Sequence, residues 1–179
     1  MKVPILETER LVLRPHASAD FADLAALWAD PEVVKYIGGS PCTQEMSWAR
    51  LLRYIGHWQA LGFGYWAICD RSDGRFLGEA GFAIYHREVT PALPVVPEAG
   101  WLLSPVAQGR GLAREALACL HQWADENKDW DQAIAIIDPD HKASLRLASG
   151  LGYQPTGMAR YQGAEMQVLT RPGPTATSV

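Results

Sequence analysis

The chain has 179 residues, 48 % of them hydrophobic and 20 % charged, and its net charge at pH 7 is −4. That length suits one domain with a sizeable core, and so mild an acidity offers no field to nucleic acid or an anionic membrane. The three cysteines, Cys42, Cys69 and Cys119, form no CxxC pair and are odd in number, which excludes a zinc ribbon and a closed disulfide framework and suits thiols in a reducing cytoplasm.

The opening, MKVPILETER, lacks the apolar core of a secretion signal, and no stretch reaches the roughly 18 apolar residues of a membrane span. A cytoplasmic, soluble protein is expected. Leu11-Val12-Leu13-Arg14, closed by Pro15, reads as a strand. Ser18 or Asp20 then caps a helix that ends near Asp30-Pro31. A second helix follows Thr43, with Trp48, Leu51, Leu52, Ile55 and Trp58 at three- and four-residue intervals predicting its buried face. Tyr65–Cys69 and Phe76–Tyr85 flank an Asp73-Gly74 turn and read as a hairpin. Thr90–Pro97 carries three prolines and reads as a stiff loop over a pocket or a partner subunit. Ala99–Leu103 is a strand, Leu112–Asn127 a long helix, Gln132–Ile137 an apolar strand and Lys142–Ser149 a short helix. Weaker strands are expected at Thr156–Arg160 and Met166–Leu169. A single domain over residues 1–170 is expected, with 171–179, rich in Pro, Thr and Ser, as a flexible tail. The mixture implies an α+β or mixed α/β fold.

The chemistry concentrates where the strand Ala99–Leu103 runs through Gln108-Gly109-Arg110-Gly111 into the helix at Leu112. Glycines there let successive backbone N–H groups converge on an anion, and the helix start adds unpaired donors and partial positive charge. Together these suit a pyrophosphate, with Arg110 and Arg114 within reach of its oxygens. The Lys-Ser/Thr of a P-loop and the third glycine of a dinucleotide fingerprint are absent. An unliganded Gly-rich turn is the competing reading. His16, His57, His86 and His121 show no HxxxH or HExxH spacing, so no metal is expected.

Gln108-Gly109-Arg110-Gly111-Leu112-Ala113 resembles the Q/R-x-x-G-x-G/A signature of the GNAT acetyltransferases. Arg10-Leu11-Val12-Leu13-Arg14-Pro15 resembles the TERLxLRP opening of the branch that contains ribosomal-protein N-terminal acetyltransferases. Ala99-Gly100-Trp101-Leu102-Leu103 and Ala143-Ser144-Leu145-Arg146 through Leu151-Gly152-Tyr153 resemble two further motifs of that branch, in the same order. The resemblance implies a GNAT-like fold: a mostly antiparallel sheet of about six or seven strands, splayed at the cofactor site, with about four helices. It implies acetyl-CoA as co-substrate and direct transfer to a primary amine, on a protein N-terminus or a small molecule; the alternative is a non-catalytic acyl-CoA-binding module.

Site residues follow from the same resemblance. Backbone groups of Leu102 and Leu103 would pair with pantetheine, and an N–H there would face the thioester oxygen. Gln108, Gly109, Arg110, Gly111, Leu112, Ala113 and Arg114 would hold the pyrophosphate, and His141, standing where the family usually has asparagine, the pantetheine arm. Glu98 is the first candidate for general base, ahead of Glu79 and His86. Ser144 is the candidate proton donor to the thiolate, or else a helix cap. Trp28, Tyr36, Trp58, Phe63, Tyr65 and Trp66 are expected to be core more than pocket. Members of the branch are often homodimers.

Overall fold

The computed structural model of the chain describes residues 2–174. Alternation of buried Leu11 and Leu13 with half-exposed Val12 and Arg14 makes strand β2, Leu11–Pro15. It pairs antiparallel with β1, Leu6–Glu7, and with β3, Tyr65–Asp70. The expected hairpin joins β3 to β4, Phe76–Ala83. Its turn is tied by Ser72, whose N–H and hydroxyl both donate to Asp70 Oδ1, and by left-handed Gly74, φ +74°. The remaining strands are β5, Glu98–Leu103; β6, Gln132–Ile137; β7, Gln154–Tyr161; and β8, Ala164–Pro172. Hydrogen bonding orders the sheet β1-β2-β3-β4-β5-β6-β8-β7. The β5–β6 pair is parallel, and Glu98↔Ile134 is its one register pair among the described residues.

The helices are α1, Phe21–Ala29; α2, Pro31–Val34; α3, Gln44–Leu61; α4, Leu112–Asn127; and α5, Lys142–Gly150. Among the described residues, the eight strands and five helices exceed the expected counts by β1 and α2. Two residues are too few for β1 to show an alternation. Pro31 ends α1 but also starts α2, where Asp30 Oδ1 accepts from Glu32 N–H; proline suits a first helical turn as well as a stop. The face of α3 also differs from the expected one. Ser47, Leu51, Tyr54 and Trp58 are buried, while Trp48 and Leu52 are exposed. Tyr54, not Ile55, completes the stripe, and Trp48 covers Phe21 edge-on at the surface. Trp28, Trp58, Phe63, Tyr65 and Trp66 are core, as expected, and Tyr36 is half-buried.

Contacts divide the chain into two compact units, Met1–Ala83 with Gly100–Leu120 and Ile84–Ala99 with His121–Val179. The first holds β1 to β4, α1 to α3, most of β5 and the start of α4, with Leu112, Ala116, Leu117 and Leu120 of α4 buried. The second holds β6, β7, β8 and α5, and there the proline-rich loop is fastened to β7. Thr90 and Arg160 exchange both backbone hydrogen bonds, and Val89 and Leu93 pack on Ala159, Tyr161 and Val168. Of the segment expected to be a tail, Arg171 and Pro172 belong to β8. Arg171 makes two bonds to Asp125, at 2.7 and 2.6 Å, and a third to Leu151 O. Residues 175–179 lie outside the described part.

His16 is buried against Tyr54, ring centroids 5.1 Å apart, and neither ring nitrogen has a hydrogen-bond partner among the described residues. Burial pushes its pKa down from 6.5 to about 4, against the pull of Asp20. The unfolded chain therefore takes up a proton that the folded chain refuses between those values. Its stabilising contribution is complete above pH 6.5 and is lost as pH falls toward 4. Urea unfolding at pH 7 and pH 5 should show a smaller acid loss in His16→Phe than in wild type, by up to about 1.4 kcal/mol per pH unit.

Candidate active site

The loop from β5 to α4 turns left-handed twice, at Gly109 (φ +71°) and Gly111 (φ +76°), with Arg110 between them. A Cβ at Gly109 would meet nothing within 4 Å. Gln108 to Gly111 and Arg114 are exposed, Ala113 is half-buried, and Leu112 anchors the helix in the core. Open space on an accessible turn, at the amino end of a 16-residue helix, is the arrangement that receives a large anion.

What holds this turn is a cluster that the sequence reading missed. Glu115, in the first turn of α4, accepts from the Thr8 hydroxyl at 2.6 Å, the Arg10 N–H at 2.9 Å and Arg10 Nε at 2.7 Å. Arg10 Nη1 also donates to the Arg110 carbonyl at 3.0 Å. Although burial opposes it, the bonds from Thr8 and Arg10 lower the pKa of Glu115. The connection between β1 and β2 is thus tied to the helix start across more than a hundred residues. Thr8-Glu9-Arg10 immediately before a strand is the signal in the sequence, but its partner Glu115 reads only as a helix-dipole acid.

Gln108 and Leu103 are brought together, since Gln108 Nε2 donates to Leu103 O at 3.1 Å. Leu102 and Leu103 differ in what their backbones face. A Cβ on Gly78 of β4 would lie 2.2 Å from Leu102 O, and Ser104 N–H donates to Leu77 O. By the alternation of a strand, Leu102 and Ser104 aim their backbone groups at β4, while Trp101 and Leu103 aim theirs away from it. Leu103 is therefore the one of the pair whose N–H faces away from β4.

In the second unit, Glu98 is buried, and both its oxygens accept from Arg87 at 2.7 Å. The Arg87 guanidinium also lies over the rings of Tyr85 and Tyr161, at 4.3 and 4.7 Å. Beside this pair the proline-rich loop encloses about 40 Å³, lined by Ile84, Leu93, Val96, Ile134 and Ile136. His141 is the N-cap residue of α5, and its Nε2 lies 3.1 Å from the Ser144 hydroxyl. Ser144 is buried inside the helix and is no cap. Burial lowers the pKa of His141, against the opposite pull of Asp138.

The profile of the "Acetyltransferase (GNAT) domain" matches residues 10–154. The chain belongs to the GNAT acetyltransferases. It is 27 % identical to the uncharacterized N-acetyltransferase p20 of Bacillus licheniformis over 166 residues, 92 % of this chain and 90 % of that one. A GnaT-family acetyltransferase of Bordetella pertussis superposes with a TM-score of 0.83 at 32 % identity, covering 94 % and 99 % of the two chains. RimL, a ribosomal L7/L12 alpha-N-protein acetyltransferase solved with coenzyme A, shares the fold, with a TM-score of 0.78 at 18 % identity over 96 % and 99 %. This GNAT chain is accordingly an acyl-CoA-dependent N-acetyltransferase with an amine acceptor.

The residues present fit an acyl-CoA: the turn has room at Gly109 and the strand before it turns Leu103 away from its neighbour. No helix among the described residues is long and apolar enough to cross a membrane. If the Thr8–Arg10–Glu115 cluster fixes the turn, Arg10→Ala should raise KM for acetyl-CoA about tenfold, with kcat within about threefold of wild type. Steady-state kinetics at saturating acceptor checks this.

Proposed function

We propose that this acetyltransferase moves acetyl from acetyl-CoA to the primary amine of a peptide N-terminus, without a covalent enzyme intermediate. The exposed turn with left-handed Gly109 and Gly111, braced by Arg10, carries the reading. Backbone amides of Gly109 to Ala113 hold the pyrophosphate, with Arg110 and Arg114 on its flanks. Acetyl-CoA supplies an acyl group activated as a thioester. Leu103 N–H then orients the arm and faces the oxygen on which charge develops. A fold shared with RimL, which is named for a protein alpha-amine, supports a peptide acceptor over a small molecule.

Ser144 donates the proton that the departing sulfur needs, and His141 at 3.1 Å restores it to the hydroxyl. The pairing gives His141 a role other than the arm contact made by the usual asparagine. Glu98 plays a different part from that expected. Taking a proton would require it to give up one of two charge-assisted bonds and leave a half-buried guanidinium underpaired. We assign Glu98 to hold Arg87, and through it the start of β5, in place.

Two measurements test this reading. Gly111→Asp puts a carboxylate into the turn with a residue type that tolerates a left-handed backbone. It should abolish the rise in melting temperature that CoA gives wild type, a rise equivalent to about 2.7 kcal/mol at 100 times the dissociation constant. In a thiol-release screen with acetyl-CoA, peptides with free N-termini should be turned over and their N-formyl counterparts should not. Turnover of small amines alone would refute the peptide assignment.

A further inference from the structure

Glu79 on β4 is completely buried. Its Oε1 accepts from the Tyr54 hydroxyl at 2.5 Å and from Trp28 Nε1 at 3.1 Å, while Oε2 has no hydrogen-bond partner among the described residues. An orphaned buried carboxylate oxygen costs a protein several kcal/mol if charged, and an apolar residue would fill this core position without that cost. The arrangement calls for a functional explanation.

Its surroundings lead to the strand that the acetyl-transfer reading makes central. The Tyr54 ring stacks on Tyr65, centroids 4.6 Å apart and planes 7° from parallel. The Tyr65 hydroxyl lies 2.0 Å from where a Cβ of Gly100 would stand, so only a bare backbone on β5 admits it. Gly78, the neighbour of Glu79, is pressed as closely on Leu102 and Leu103. The charged and titratable groups facing Glu79 are Arg50 and Arg53 of α3, Tyr54 itself, and His16 stacked behind Tyr54. Arg50 spreads over the Trp28 ring at 3.4 Å.

We infer that Glu79 and Tyr54 together take up the proton that the acceptor amine must lose, an inference that rests on the acetyl-transfer reading above. Glu79 is wholly buried and its Oε1 accepts from the Tyr54 hydroxyl, so a proton bound for that oxygen passes through Tyr54. The ammonium gives one N–H proton to Tyr54 Oη while the Tyr54 hydroxyl proton moves to Glu79 Oε1, leaving a neutral amine and a neutral acid. The nitrogen lone pair then forms the bond to the thioester carbon. The C–S bond breaks with its electron pair on sulfur, which takes the Ser144 proton, and the second amine proton replaces it by way of His141. Glu79 afterwards returns its proton to solvent, one per turnover. Burial raises the Glu79 pKa to about 7, even though Tyr54, Arg50 and Trp28 pull it down, so both protonation states are populated near neutral pH.

The test is the pH dependence of kcat in wild type, Glu79→Gln, Tyr54→Phe, Glu79→Asp and Glu98→Gln, each first shown by its melting curve to fold. Glu79→Gln and Tyr54→Phe should lower kcat about 10²-fold and remove the acidic limb near pH 7, with KM for acetyl-CoA within about twofold. Glu79→Asp should keep part of the limb. A readout free of turnover is the carboxyl ¹³C resonance of Glu79, assigned by its loss in Glu79→Gln, which should titrate near pH 7. The inference is overturned if Glu79→Gln keeps the limb and stays within about threefold of wild-type kcat, or if the resonance titrates in the ordinary glutamate range. A limb that disappears only in Glu98→Gln overturns it as well and leaves acetyl transfer intact. A wild type that transfers acetyl to no amine overturns both.

Discussion

The grip of Thr8 and Arg10 on Glu115 is the contact on which the site depends. A turn with two left-handed glycines has little reason of its own to stay in one shape. Here its carbonyl at Arg110 and the first turn of its helix are both bonded to the chain's opening segment. The amides proposed to hold the pyrophosphate are thereby preorganised, and little ordering entropy is left to be lost when a ligand arrives. Leu112, fully buried, fixes the helix from beneath, and Gln108 ties the turn back to the end of its strand at Leu103.

Carboxylates in this protein divide by what neutralises them. Asp20, Glu115, Asp125 and Glu98 each meet an arginine at 2.6 to 2.7 Å, and they serve as fasteners. Glu79 receives a phenol and an indole instead, and burial drives it toward neutrality. Environment, more than residue type, separates a structural acid from one able to trade protons. The same contrast is why we assign Glu98, the more conspicuous candidate in the sequence, to holding Arg87.

Most of the fold was legible because its long elements carry strong periods. The β3–β4 hairpin announced itself by Asp73-Gly74, and α3 by Thr43, which caps its start as Gly62 caps its end. Two-residue β1 and four-residue α2 were too short to show a pattern. The face of α3 was misjudged because Tyr54 is as apolar in its ring as Ile55, and only packing decides between neighbours. At the site, the glycine turn could be read from local chemistry. The partners Arg87 for Glu98, Glu115 for Arg10 and Tyr54 for Glu79 could not, since each lies beyond the range of any local pattern. His141 and Ser144 are three residues apart on one helix start, and there the spacing alone would have suggested the contact.

Hydrogen–deuterium exchange of the backbone amides, with and without CoA, tests the central claim most directly. If the amides of Gly109 to Ala113 hold the pyrophosphate, CoA should slow their exchange strongly, and Arg10→Ala should weaken that protection. Unchanged exchange across Gly109–Ala113 at saturating CoA, with protection arising elsewhere, would contradict the account.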